Sequence, residues 1–176
     1  MKLLSTQTVS NQASVTFTSG ITSAYKEYIF KFININTASD GVQFMFQVNA
    51  SGQSGYNETI TSTYFRAYQT ENNTSSGLGY EAANDQAQGT GYQYVTVQMG
   101  NNADQCSGGE LHLFNPSSTT YVKNFYSRFS NNGADDTARD SFVAGYINVT
   151  AAIDEIEFKA GSGNMDGTIK MYGIAT

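Results

Sequence analysis

The chain contains one cysteine and one histidine, the two residue types that most often act together as a nucleophile and its base. A catalytic thiol needs a base within hydrogen-bond reach, so Cys106 and His112 are the pair to consider. His112, however, lies inside the alternating run Glu110-Leu111-His112-Leu113-Phe114, which is typical of a β-strand. We therefore expect no Cys–His catalytic pair and interpret Cys106 as a small buried or half-buried thiol. A single cysteine also excludes an internal disulfide bond.

Carboxylates are the second group that could support catalysis, because glycoside hydrolysis uses two acids across a sugar-binding cleft. The candidates by residue type alone are Asp135, Asp136, Asp140, Asp154 and Glu155. Around Asp154, apolar Ile156 and Phe158 recur at every second position, which is typical of a strand with one solvated and one buried face. The pattern thus predicts no catalytic residues and a protein that is not an enzyme.

Three loops rich in Asn and Asp, at 101–104, 131–136 and 164–166, could offer oxygen ligands to Ca²⁺. None of them has the ordered ligand spacing of a dedicated calcium loop, and Asn and Asp are common in turns because they bond to nearby backbone groups. The chain also lacks a His/Cys cluster for zinc and a glycine-rich loop between a strand and a helix for phosphates. We expect no metal and no cofactor.

Tyrosines in or beside the predicted loops are the best candidates for binding. They are Tyr56, Tyr68, Tyr80 and Tyr92. Aromatic rings in such places stack on sugars or anchor protein interfaces, so these residues could form a contact surface for a partner protein or a glycan. The alternative, which we favour, is that they pack the loops onto the rest of the fold.

The composition excludes two classes of partner. With 9 Lys and Arg against 15 Asp and Glu, the formal net charge is −6, and no run of basic residues occurs. We therefore do not expect the chain to bind nucleic acid. No apolar stretch has the length of a membrane span, so we do not expect a membrane partner either.

The elements that must position these groups are β-strands. Apolar residues alternate in short runs, for example at 28–32, 42–48 and 142–146, and turn residues separate the runs. No window has a helical period. The sequence predicts an all-β fold, an antiparallel β-sandwich of about ten short strands that is jelly-roll-like. We expect an extended N-terminal arm at 1–12 and a single β-sandwich domain at 13–176.

Turn signals also predict how some strands pair. Asp40-Gly41 lies between the runs 25–36 and 42–49, which predicts a hairpin. A second hairpin is predicted for 110–114 and 121–130, around Pro116. The polar stretch 69–91 has no clear period and is predicted to be a long loop that is functional or mobile.

One strand is apolar on both faces. Tyr28, Phe30 and Phe32 alternate with apolar residues of the other face. These second-face residues are Ile29, Ile33 and Ile35. A strand of this kind is usually covered on both sides, by a loop or by another subunit. All six residues are therefore predicted to lie at or near a subunit interface.

Several sheet and turn segments together resemble a known group of proteins. They are FTSGI at 17–21, YIFKF at 28–32, GELHLFNPSSTT at 109–120, YIN at 146–148 and GSGNMDGTIKMYGI at 161–174. With these segments the chain resembles small virion structural proteins encoded by tailed phages of marine and freshwater bacteria. The matched positions are structural, so the resemblance transfers no functional residues.

The resemblance implies a location in the virion and a role as a tail or fibre component, with a capsid decoration protein on the head surface as the alternative. It also implies a symmetric homo-oligomer, with a trimer favoured, and contacts with other virion proteins. A tail or fibre role would fit a host surface glycan as a partner, because long polar loops resemble variable tips. A carbohydrate-binding module is a further alternative.

Overall fold

The structure, a computed structural model, describes residues 1–175. Within that range the chain forms thirteen antiparallel strands and no helix. The strands are β1 Lys2–Gln12, β2 Ser14–Phe17, β3 Glu27–Thr37, β4 Val42–Ala50, β5 Ile60–Thr70, β6 Ser76–Tyr80, β7 Ala87–Gly89, β8 Gln93–Met99, β9 Ser107–Phe114, β10 Lys123–Asn132, β11 Thr137–Ile147, β12 Ile153–Ala160 and β13 Met165–Ile174. No helix in the described residues is long and apolar enough to cross a membrane.

The strands form two sheets that face each other. The large sheet has nine strands in the order β1-β13-β3-β9-β10-β11-β5-β6, and β7 pairs with β5 beside β6. The small sheet has four strands in the order β2-β12-β4-β8. We call the side of the large sheet that packs on the small sheet its core face and the opposite side its outer face.

Aromatic rings from both sheets fill the space between them. Phe158 of the small sheet lies 5.0 Å from Phe32 and 5.3 Å from Phe30 of the large sheet, measured between ring centroids. Phe46 contacts Phe125 at 5.1 Å in an edge-to-face arrangement. Such pairs add about 0.5–1.5 kcal/mol each to the free energy of burying the rings. The alternating Phe positions of the sequence therefore form the core.

The predicted β-sandwich is confirmed, with differences in detail. The structure has thirteen strands where about ten were expected. A sheet of nine and a sheet of four strands do not confirm the jelly-roll arrangement, which joins two four-stranded sheets. Residues 2–12, the expected arm, are extended but form β1, which pairs with β13 at the edge of the large sheet. The predicted loop at 69–91 contains β6 and β7, both paired with β5.

One of the two predicted hairpins is present. β9 and β10 pair in antiparallel register, with Leu113 opposite Phe125. The hairpin predicted across Asp40-Gly41 is wrong, because β3 belongs to the large sheet and β4 to the small one. Gly41 adopts a φ of 68° and directs the chain from one sheet to the other. Its N–H donates to the carbonyl of Met99 in the small sheet, 2.8 Å away.

A β-bulge interrupts the alternation of β3. Its register with β9 shifts between Phe32 and Ile35, and Asn34 has a φ of 52°. Asn tolerates this left-handed conformation better than most residues. The extra residue turns Ile35 to the core face, where it is fully buried.

Candidate functional site: the outer face of the large sheet

The register of the large sheet aligns six long side chains in one row across its outer face. Starting at β3, each residue lies directly opposite the next one on the neighbouring strand. We call this row the ridge; it consists of Lys31, Glu110, Arg128, Phe142, Phe65 and Tyr80. Directly opposed side chains on one face are close enough to interact, so the ridge is a continuous set of contacts.

Ion pairs connect the charged part of the ridge. Nζ of Lys31 lies 3.2 Å from Oε2 of Glu110. Arg128 donates to the carboxylate of Asp140 from two nitrogens, Nε at 3.0 Å and Nη2 at 2.6 Å. This bidentate contact fixes the plane of the guanidinium and raises the pKa of Arg128. Two positive and two negative groups thus lie side by side.

Stacked planar groups connect the rest of the ridge. The rings of Phe65 and Phe142 are parallel within 4° with centroids 4.8 Å apart. The guanidinium carbon of Arg128 lies 4.9 Å from the centroid of Phe142. Phe142 is therefore stacked between two planar groups, the guanidinium of Arg128 and the ring of Phe65.

A groove lies along one side of the ridge. It has a volume of about 640 Å³, and its outer-face lining includes Ala67, Gly108, Ser130 and Ala138 from four different strands. These side chains are small, whereas the ridge residues beside them are long. The groove is therefore produced by the order of residue sizes along each strand. Ion-paired Asp140 also lines it.

A smaller depression of about 270 Å³ lies on the other side of the ridge, with Tyr126 and Ala144 in its lining. The ring of Tyr126 stacks on His112, with centroids 4.3 Å apart. Burial raises the pKa of Tyr126, and the nearby carboxylates of Glu110 and Glu27 act in the same direction. This second row of stacked groups runs parallel to the ridge.

His112 is held between two carboxylates. Its Nδ1 lies 2.6 Å from Oε1 of Glu27, and its Nε2 lies 3.3 Å from Oε1 of Glu110. Burial opposes ionisation of Glu110, but hydrogen bonds to Lys31 and His112 outweigh it, so the pKa of Glu110 is lowered. The imidazole is buried and hydrogen-bonded through Nδ1 to Glu27, which is a structural environment.

Most of the exposed large apolar side chains of the described residues lie on the outer face. Leu78 is the most exposed of these, at 73%. The outer-face members are Leu3, Ile33, Phe65, Leu78, Tyr80 and Tyr126. Exposed apolar patches that are bordered by polar groups mark contact surfaces. The sequence did not identify this face, because its residues come from five strands that only the register brings together.

The four loop tyrosines predicted to bind do not share a surface. Tyr56 and Tyr92 lie on the outside of the small sheet, where each hydroxyl donates to a carboxylate of β12. Tyr56 bonds Glu155 at 2.8 Å, and Tyr92 bonds Glu157. Burial and these hydrogen bonds raise the pKa of both tyrosines. Both residues therefore attach loops to the sandwich.

The other two tyrosines lie on opposite faces of the β5–β6 pair. Tyr80 is opposite Phe65 on the ridge, and its hydroxyl donates to Asp85, which raises the pKa of Tyr80. Tyr68 lies on the core-face side, beside Arg66, whose guanidinium carbon is 5.2 Å from the ring centroid. Only Tyr80 of the four belongs to the outer face.

The structure divides the six residues predicted at a subunit interface. Tyr28, Phe30, Phe32 and Ile35 belong to the protein's own core. Ile29 is buried on the outer face, opposite His112. Ile33 is 43% exposed and is the only one of the six that another molecule could cover. The bulge at Asn34 causes this division, because it removes Ile35 from the second apolar row.

The groups considered for catalysis are separated or paired. Cys106 is exposed, contrary to the expected burial. It precedes β9, about 20 Å along the strand from His112 at 3.4 Å per residue. Asp140 is bonded to Arg128 and Asp135 to Arg139, and the latter contact lowers the pKa of Asp135. Within residues 1–175, no three His, Cys, Asp or Glu side chains cluster as metal ligands.

No protein-family model matches the chain, and no curated protein matches it significantly. A functional assignment must therefore come from the surface chemistry described above.

Proposed function

We propose that the chain is a non-enzymatic virion structural protein, a tail- or fibre-associated component that acts through contacts with other copies and other virion proteins. The observation that carries this proposal is the concentration of exposed apolar side chains on the outer face. When a partner covers such a surface, each Å² of apolar area that is buried contributes about 25 cal/mol to the free energy of association. The segments that resemble phage virion proteins support the same role.

A non-enzymatic role agrees with the state of the polar groups. Asp135 and Asp140 neutralise arginines, and His112 is enclosed by carboxylates and a tyrosine ring. A general acid or base needs a free position next to a bound substrate. None of these three groups combines such a position with a partner nucleophile.

The outer face also replaces β3 as the expected site of subunit contact. Ile33 is the exposed residue of the predicted set, and it lies on the same face as Phe65, Leu78 and Tyr126. A homo-oligomer, with a trimer favoured, would cover apolar area from several strands rather than from one. A capsid decoration protein would need a contact surface of the same kind, so position in the particle distinguishes the two roles.

The test of the virion role is the position of the chain in purified phage particles. We expect mass spectrometry to detect the chain and cryo-electron microscopy to assign its density to the tail or fibre. Density that covers the head lattice in many copies would overturn the tail assignment in favour of decoration. Absence of the chain from purified particles would overturn the virion role altogether.

A surface variant tests the contact face directly. Leu78→Ser removes the most exposed apolar side chain of that face, and Tyr121→Ser is the matched control because Tyr121 is 69% exposed but lies in the loop before β10. We expect Leu78→Ser to lower the oligomer mass measured by light scattering, or the amount incorporated into particles, while the control behaves as wild type. Equal behaviour of both variants would contradict the assignment of the outer face.

A further inference from the structure

We propose that the groove beside the ridge binds a neutral oligosaccharide. The groove crosses β9, β10, β11 and β5, and neighbouring strands lie about 4.8 Å apart, so it spans about 14 Å. A depression that shares Gly108 and Ser130 continues it to Ile33 on β3. A channel of this shape fits an extended chain of several linked units rather than a single small molecule.

The charges along the groove select a ligand without net charge. Arg128 and Arg139 of the lining are positive, and Glu110 and Asp140 are negative. Each is paired with an opposite charge: Arg128 with Asp140, Glu110 with Lys31 beside the groove, and Arg139 with Asp135. An anionic ligand would approach two carboxylates, and a cationic ligand would approach the guanidinium. Because both signs are present and neutralised, neither kind of ligand gains net Coulomb energy.

The polar groups of the groove match hydroxyl groups. Asp140 and Glu110 accept hydrogen bonds, Arg128 donates, and Gln69 and Ser130 do both. A sugar hydroxyl donates and accepts at once, so such a mixed set can satisfy it. Between these groups the lining is Ala67, Ala138 and Gly108, against which the C–H groups of a sugar ring can pack.

An extended peptide is less suited to this position. Peptides that bind sheets as an added strand do so at an open edge, where backbone N–H and C=O groups are free. The groove lies over β9, β10, β11 and β5, and each of these strands is paired on both sides. A peptide's own N–H and C=O groups would therefore find only side chains as partners.

This inference rests on the proposed role of the outer face as a contact surface and names one partner for it. The two can fail separately. Sugar binding is measured on the purified protein, whereas the virion role is measured by incorporation into particles. A protein that enters particles but binds no sugar would overturn the present inference and leave the virion role intact.

The experiment uses two tryptophan variants on one strand. Ser130→Trp places a large ring in the groove, and Asn124→Trp places the same ring at another exposed outer-face position of β10, away from the groove. Both sites point to solvent, so both variants should fold. The probes are a glycan array with neutral hexose and hexosamine oligosaccharides, an acidic set with uronic acids, and an array of extended peptides.

We expect the wild-type protein to bind neutral oligosaccharides, with at least tenfold weaker binding by Ser130→Trp and binding within about twofold of wild type by Asn124→Trp. Arg128→Gln should also weaken binding at least tenfold, since it removes the fixed donor. Three results would overturn the inference: no neutral oligosaccharide bound by the wild-type protein, binding unchanged in Ser130→Trp, or preference for the acidic glycans or the peptides.

Discussion

The side chain of Lys123 closes one end of the sandwich. Lys123 is fully buried at the start of β10. Its Nζ lies within hydrogen-bond distance of four backbone carbonyls, which its three N–H groups share: those of Tyr121 at 3.0 Å, Val149 at 3.0 Å, Thr150 at 2.9 Å and Ala151 at 2.6 Å. Burial lowers the pKa of Lys123, while the nearby carboxylate of Glu58 acts in the opposite direction. The ammonium connects the loop before β10 to the loop before β12.

Replacing Lys123 with Met keeps most of the apolar stem and removes the ammonium. A hydrogen bond to a charged group contributes about 1.5–3 kcal/mol, so the three N–H groups set an upper limit of about 9 kcal/mol. The loss is smaller in practice, because the variant no longer desolvates a charge and water can reach the exposed residues 150 and 151. We expect Lys123→Met to lower the free energy of unfolding by about 3–5 kcal/mol.

Urea denaturation and calorimetry measure this difference. At about 2–4 °C for each kcal/mol in a domain of this size, Tm should fall by about 6–20 °C. Lys26→Met is the matched control, since Lys26 is exposed, and its free energy of unfolding should stay within about 0.5 kcal/mol of wild type. A loss below about 1 kcal/mol in Lys123→Met would refute the view that the ammonium supports this end of the fold.

Two further predictions follow from single contacts. The pKa values of Glu110 and Asp135 lie below their usual 4.5 and 3.8. Their ionised forms therefore stabilise the fold above about pH 4.5, and this stability should be lost as pH falls through this range. A urea midpoint that is unchanged between about pH 6 and pH 3 would contradict this prediction. Gly145→Ala should cost about 1–3 kcal/mol, because its Cβ would overlap the carbonyl oxygen of Thr61. Gly79→Ala should be within about 0.5 kcal/mol of wild type, since no atom lies within 4 Å of its Cβ; equal losses in the two alanine variants would contradict the packing argument.

Local patterns predicted the strands better than their partners. The period of two identified β3, β4, β9 and β10, because burial of one face depends only on neighbouring residues. The partner of a strand depends on where the next turn directs the chain. Asp40-Gly41 has the composition of a hairpin turn, yet the chain changes sheet there. Turn composition specifies a reversal of direction and does not specify the layer in which the next strand lies.

The bulge at Asn34 shows why strict alternation assigned Ile35 to the wrong face. Strict alternation places Ile35 with Ile29 and Ile33, whereas one extra residue moves it to the opposite face. The signal in the sequence is Asn34 itself, an Asn inside an apolar run, together with Gly167 on the paired strand, whose φ is 135°. A pattern based only on the spacing of apolar residues does not detect this bulge signal.

The groove could not be predicted from spacing, because its residues are up to about 70 positions apart in sequence and meet only through register. Part of the signal was nevertheless present on β10, where Tyr126, Arg128 and Ser130 occupy successive outer-face positions and decrease in size. On β11, side-chain size also decreases from Phe142, opposite Arg128, to Asp140, opposite Ser130, and then to Ala138, so size falls in the same direction on both strands. Two such gradients in register are sufficient to form a ridge with a groove at its side.

The ridge also explains how a surface site can be rigid without a binding partner. Arg128 is held by Asp140 in the plane of its guanidinium and by Phe142 against its face. An unrestrained arginine loses up to about 2 kcal/mol of side-chain entropy when a ligand fixes it. Here folding has already fixed much of that side chain, so less of the binding energy is lost to ordering. Contacts that stabilise the sheet therefore also favour binding at its outer face.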